Sequence, residues 1–379
     1  MSQIECQVAV KELISNDEKE FEKEKQMHLK LESHPHLTPL YATFRQDGKW
    51  HLIFPWADSN LQEYWEEQPT PKMNPQYVTW SLTEMRGLAE GLERVHNCRV
   101  TWNIPLVPGG AGKVRVQAGD VELKVEKDEQ WYGRHGDIKP ENVLTFMNVL
   151  KLADFGLGRF HGRDSRSNVD PKTITCSPTY EPPEVKLGIP VNREYDIWSL
   201  GCLYLQFATW LLRGIQGINR FAYHRLEALQ GLNGFKDDNF YTIFDNDGEK
   251  DAKVREGVES WVGELRQEEQ CSQFIHDLLD LVMKHMLLVN SKERIKAKAL
   301  PEMFTELEKR AESDEEYLYT PRPLPKPPSP PTTPEKLPRS SSNRKNAHVY
   351  WPSNAGHSPP EHDLPGHGPS RSDTIASYP

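Results

Sequence analysis

The twenty residues from His135 to Asp154 constrain this chain more than any other part of it. Asp137, Lys139 and Asn142 fall within six positions, and Asp154 lies seventeen residues after Asp137. Two carboxylates, an ammonium and a carboxamide at this spacing are the set that phosphoryl transfer needs. One carboxylate orients the attacking hydroxyl, the lysine balances charge on the moving group, and the amide with the second carboxylate holds Mg²⁺. Asp137, as base, must reach a substrate hydroxyl directly or through water. Lys139 follows on the same extended loop, so its side chain points the same way. Asn142 and Asp154 offer the hard oxygens that Mg²⁺ prefers.

The surrounding residues give this set a family. HGDIKPEN at 135–142 and DFG at 154–156 resemble the catalytic and magnesium loops of eukaryotic protein kinases, H-R-D-x-K-x-x-N and D-F-G. The resemblance runs from about Val8 to about Arg310. VAVK at 8–11 is similar to the third-strand motif, which implies Lys11 on the α- and β-phosphates of ATP. Its implied partner is a glutamate on the next helix: Glu24 fits best, with Glu20 and Glu22 as competitors. FPWA at 54–57 resembles the hinge that receives adenine, with the Pro55 carbonyl accepting and the Ala57 N–H donating; the other reading is a strand stopped by proline. SPTYEPPE at 177–184 resembles the end of an activation segment. It places Ser177 near the catalytic pair and implies a buried ion pair between Glu184 and Arg294. DIWSLG at 196–201 resembles the start of the central helix, whose aspartate, here Asp196, braces the catalytic loop. The resemblance implies a serine/threonine protein kinase that uses ATP and Mg²⁺ and acts on a protein hydroxyl.

Two departures bear on that expectation. Gly136 stands where the family has the arginine of H-R-D, so ordering by an activation-loop phosphate should be lost or rerouted. No G-x-G-x-x-G precedes Lys11, which is itself preceded by only ten residues. The expectation is that the start lies further upstream or that the protein works weakly. PGGAGK at 108–113 does not replace the missing loop: Val107 stands at the first glycine and Val114 at the Ser/Thr of a phosphate-binding loop. The competing reading is therefore a pseudokinase-like scaffold, or an inactive kinase fragment, that binds protein partners.

The expected fold class is α+β: a two-lobed kinase-like fold with a small, incomplete β-rich lobe at 1–57 and a mainly helical lobe at 58–312. Val78, Leu82, Met85, Leu88, Leu92 and Val95 step by three or four along a helix over 75–96. The apolar run Ile197–Leu212 is shorter than a membrane span, which suits a helix buried on all sides. Strands are expected over 37–44 and 50–56, joined at Gln46-Asp47-Gly48, and the region of 233–250 reads as loop-rich. Residues 99–133 form an insertion ahead of the catalytic stretch, either a β-hairpin or disordered chain. Half of the thirty prolines fall at or after Pro321, so 313–379 is expected to be a disordered tail. Within it, RPLPKPP at 322–328 has the spacing of a polyproline II ligand for a polyproline-binding domain, or is a solvated linker. The net charge of −10 argues against nucleic acid or an anionic membrane as partner. Five widely spaced cysteines and no signal-peptide pattern point to an intracellular protein of the cytoplasm or nucleus.

Overall fold

The computed structural model describes residues 7–13, 17–31, 34–71, 73–100, 113–115, 122–124, 129–155, 159–161, 177–228, 236–314 and 316–325. It opens with strand β1 (Val8–Glu12) and helix α1 (Glu18–Lys30). Asp17 caps α1 by accepting from the Lys19 N–H at 2.9 Å, which satisfies one of the donors a helix start leaves open. Strands β2 (Ala42–Gln46) and β3 (Lys49–Pro55) form a hairpin. Its turn residues Asp47 and Gly48 have φ of 51° and 80°, the left-handed pair a two-residue type I′ turn requires. The sheet order is β1-β3-β2, antiparallel, with Lys11 opposite Leu52.

The strand expected over 37–44 starts only at Ala42. Leu37 instead forms an isolated parallel bridge with Leu152, and the Thr38 N–H donates to Leu152 O at 2.9 Å. Pro39 has no N–H and interrupts any ladder through it. This small sheet has a small core of its own, Leu13, Phe21 and Leu52, with Trp50 stacked on Phe21 at 4.0 Å.

The larger portion begins with β4 (Ser59–Asn60) and α2 (Leu61–Glu67). Asn60 and Glu63 exchange side-chain bonds with each other's backbone N–H, a capping box. Helix α3 (Pro75–His96) buries all six residues of the periodic stripe. After it come β5 (Cys98–Val100), β6 (Lys113–Arg115), β7 (Glu122–Lys124) and β8 (Glu129–Arg134). β6 and β7 pair antiparallel, with Val114 opposite Leu123. β8 pairs with β5 and leads directly into His135. β9 (Val143–Phe146) and β10 (Val149–Leu152) form the hairpin that follows residues 135–142, and β11 (Arg159–His161) returns to pair with β8.

Helix α4 (Pro183–Leu187) precedes α5 (Glu194–Arg225), the centre of the fold. Every residue from Glu194 to Leu211 is buried, so this helix is packed on all faces. Each buried leucine there contributes roughly 1.5–3 kcal/mol. Within it, the Tyr204 hydroxyl donates to Met85 O at 2.6 Å, and that of Thr209 to Leu205 O at 2.8 Å. The helix kinks at Gly214, where φ is 64° and ψ −166°.

Beyond α5, short strands β12 (Glu227–Ala228) and β13 (Lys236–Asp237) pair. They are followed by a hairpin of β14 (Tyr241–Asn246) and β15 (Glu249–Val254). The loop-rich reading of 233–250 is thus corrected. Asp247 and Gly248 adopt φ of 54° and 89°, and the alternation of YTIF is a strand signal. Helices α6 (Glu256–Arg266), α7 (Gln273–Leu281) and α8 (Leu300–Ser313) complete the fold, α8 packing on α3. The architecture is α+β, a small N-terminal sheet region beside a larger helical portion. Among the described residues no helix is long and apolar enough to cross a membrane. The disordered tail expected over 313–379 is corrected at its start, where Ser313 ends α8, Tyr317 and Leu318 are buried and the Phe274 N–H donates to Tyr317 O; residues 326–379 lie outside the described residues.

At Gly214 an added Cβ would lie 2.0 Å from Pro69 O, on a backbone conformation that side chains disfavour. Gly214→Ala is expected to cost about 1–3 kcal/mol, read as a lowered denaturation midpoint. An unchanged midpoint would contradict the packing at this kink.

Candidate active site

The loop from His135 to Lys139 is fixed from below by one carboxylate. Asp196, fully buried on the first turn of α5, accepts from the His135 N–H at 2.8 Å, the Gly136 N–H at 2.9 Å and His96 Nε2 at 2.8 Å. Burial alone would raise its pKa, but the bond and charge from His96 overcome that and hold it below the usual range. Because the carboxylate can only accept, His96 Nε2 carries a proton. Gly136 sits at φ 88°, a conformation that glycine adopts without the Cβ penalty.

Asp137 is half-buried and gathers the other polar groups around it. Its Oδ2 accepts from Asn142 Nδ2 at 2.8 Å and lies 3.2 Å from Lys139 Nζ. Its Oδ1 accepts from the Ser177 N–H at 3.3 Å. Lys139 Nζ also donates to Ser177 Oγ at 2.8 Å, so Ser177 closes onto the Asp137–Lys139 pair. Both bonds of the Asn142 amide nitrogen go to Asp137, one to its backbone oxygen at 2.8 Å. The Asn142 Oδ1 is thereby turned to the other side. Asn142 O accepts from the Ala153 N–H at 2.9 Å, which brings the neighbouring Asp154 to the same place.

Lys11 joins the small sheet to this centre. Its Nζ lies 2.9 Å from Glu24 Oε1 and 2.7 Å from Asp154 Oδ1. Burial works to lower the Lys11 pKa, yet the two carboxylates raise it on balance, so the ammonium stays charged through ordinary pH. Glu24 is the partner, while Glu22 pairs with Lys25 at 2.9 Å. Asp154 has φ 60°. One helical turn beyond Glu24, His28 packs edge-on against Phe155 with centroids 5.1 Å apart, and Phe155 packs on His135 at 4.9 Å. A stack of rings therefore runs from α1 to the loop that Asp196 holds.

The remaining expected residues are placed as follows. Pro55 ends β3 and Ala57 follows it, both half-buried, with Asp58 N donating to Thr145 O at 2.9 Å just beyond. Arg294 meets Glu184 through two bonds of 2.8 and 2.7 Å. Its other donors reach Leu288 O, Glu194 O and Val289 O, which uses all five guanidinium N–H groups. A buried pair so fully satisfied is costly to break from one side, about 3–5 kcal/mol.

Residues 134–302 match the family model of the protein kinase domain. This part of the chain is similar to the eukaryotic protein kinases. Among its relatives are Cyclin-dependent kinase-like 5 of Mus musculus and of Homo sapiens, each 27% identical over 201 residues, which is 52% of this chain and 17% of the relative. Serine/threonine-protein kinase Nek5 of Mus musculus is 24% identical over 204 residues, 53% of this chain and 26% of Nek5. The chain thus spans about a sixth to a quarter of the length of these relatives.

Two parts of the kinase site were not read from the sequence. His96, the last residue of α3, has no local signal; its role appears only when α3 and α5 meet. His28 does have one, its spacing of four from Glu24 on a helix. Burial pushes the His28 pKa down to about 4, and its Nε2 lacks a hydrogen-bond partner. A histidine held neutral stabilises the fold above its unfolded value of 6.5, and that contribution is lost as pH falls from 6.5 toward 4. His28→Leu is expected to flatten this part of the stability–pH curve and to gain about 1 kcal/mol at pH 5, measured by denaturant titration. A variant whose curve keeps the wild-type slope would contradict the buried neutral histidine.

Proposed function

We propose that this chain is an ATP- and Mg²⁺-dependent protein serine/threonine kinase that transfers the γ-phosphoryl group to a protein hydroxyl. The observation that carries the reading is the closed set of bonds among Asp137, Lys139, Asn142 and Ser177. In the proposed roles, Asp137 accepts the hydroxyl proton through the carboxylate that now faces Lys139 and Ser177. Lys139 places positive charge where the transferred group would pass. Lys11, braced by Glu24, would contact the α- and β-phosphates. Pro55 O and the Ala57 N–H would receive adenine. Glu184, Arg294 and Asp196 support the segment and the loop without touching substrate.

The donor set suits a magnesium–nucleotide complex. Among the described residues no three His, Cys, Asp or Glu side chains form a ready metal cage. Mg²⁺ does not require one, since it is usually held by one or two protein oxygens together with phosphates and water. Asn142 Oδ1, left over once its Nδ2 is spent on Asp137, and the partly exposed carboxylate of Asp154 supply two such oxygens. When bound, the ion would neutralise charge on the phosphates. Lys11 now occupies one oxygen of Asp154, and that ammonium is positioned to move onto phosphate when nucleotide enters.

The serine/threonine preference rests on Lys139 and Ser177, and an intracellular setting follows from the need for ATP. A second interaction, between 322–328 and a polyproline-binding domain, is supported by the Arg322, Pro325 and Pro328 spacing. Mg-ATP is expected to raise the melting temperature of the wild-type chain and to leave Asp154→Asn nearly unmoved. Equal shifts in the two proteins would remove the active-kinase reading and favour a scaffold.

A further inference from the structure

Residues 316–325 follow α8 back across the end of the kinase domain, and their contacts are specific. Tyr317 and Leu318 are buried. The Phe274 N–H donates to Tyr317 O at 3.1 Å, and the Tyr317 hydroxyl donates to Asp277 Oδ2 at 2.9 Å. Pro321 bridges to Ser272. From there the Arg322 N–H donates to Cys271 O at 2.6 Å, and the Leu324 N–H to Arg266 O at 2.8 Å. Arg266 is the last residue of α6, so Leu324 satisfies one of the carbonyls that a helix end leaves open. His276 Nε2 lies 2.8 Å from Arg322 O. A carbonyl only accepts, so that nitrogen is the donor. Its other nitrogen, 3.3 Å from Arg266 Nη1, is then the acceptor, and the two bonds agree on one tautomer.

The alternation of prolines makes this docking one-sided. Pro321, Pro323 and Pro325 have no backbone N–H, so within 321–325 only Arg322 and Leu324 carry backbone donors. Both face the kinase domain. Residues 321–325 are all exposed nonetheless, Leu324 at 49% and the Arg322 side chain at 48%. The backbone is held and the side chains are presented.

We propose that the kinase domain displays Arg322–Pro325 as a preorganised ligand for a polyproline-reading domain with an aromatic groove and an acidic pocket for Arg322. This rests on the polyproline-ligand reading of 322–328 and adds that the fold fixes its first four residues, Arg322–Pro325, before the partner arrives. Ordering a free peptide is part of the cost of binding it. A segment already ordered by three backbone bonds avoids much of that cost, and no further bond to the partner is lost, because its donors are already satisfied.

The test titrates an isolated Src-homology-3 domain that selects Arg-x-x-Pro-x-x-Pro ligands. Calorimetry compares the full chain with a synthetic peptide of residues 318–331. The full chain is expected to bind about five- to tenfold more tightly than the peptide. His276→Ala removes the bond to Arg322 O without altering the ligand, and should bring the full chain toward the peptide's affinity. Tyr317→Phe, which loses only the bond to Asp277, is a milder release if His276→Ala lowers the melting temperature. Full-chain binding equal to or weaker than the peptide's overturns the display, since the segment would then be neutral or hidden. A peptide that does not bind at all removes the polyproline reading itself, and the display with it.

Discussion

The carboxylate of Asp196 is the point on which the rest of the molecule depends. It is removed from water on a helix whose first eighteen residues are all buried, and such a charge is tolerated only when fully bonded. The three groups that bond it come from two separate parts of the chain: the end of α3 and the successive amides of His135 and Gly136. Meeting the needs of that one buried charge fixes where His135 and Gly136 lie, and Asp137 follows from them. The most stable part of the fold therefore positions the residue proposed to do the chemistry.

Above that anchor the structure is lighter. The small sheet has only a few core residues of its own and is tied to the larger portion through specific links. Lys11 spans Glu24 and Asp154, His28 rests on Phe155, and the chain at 37–38 pairs with Leu152. Each of these links is a single ion pair, ring contact or short bridge, added to the packing of Met27 and Leu37 into the main core. A region held this way can shift relative to the loop below without unfolding it, because local stability follows local burial. The group that reads the nucleotide phosphates in the proposed function belongs to this lighter part, while the proposed base belongs to the rigid one.

Much of this was legible in the sequence, for identifiable reasons. α3 and α5 are long and strongly patterned, one by its stripe and the other by its lack of polar faces, and both appear where expected. Asp137, Lys139, Asn142 and Asp154 lie within eighteen residues, so their convergence needed only a loop and a hairpin. Glu24 could be preferred to Glu20 and Glu22, but the pairing itself depends on how α1 packs. The strand over 37–44 was misplaced because Leu37 and Thr38 pair across the fold with Leu152, a partner no local pattern reveals. The hairpin of β14 and β15 was missed although Asp247-Gly248 marks its turn, since charged residues obscure the alternation around it. His96 was invisible, because a histidine at a helix end acquires its meaning only from the buried carboxylate it meets.

The central claim is that this arrangement transfers phosphate to hydroxyl groups. It is tested most directly by incubating the full chain with γ-labelled ATP, Mg²⁺ and a general protein acceptor, then identifying the labelled amino acids. Label on serine and threonine that falls by about a hundredfold or more in Asp137→Asn is the predicted result. Incorporation by the wild-type chain no greater than that by Asp137→Asn would contradict it.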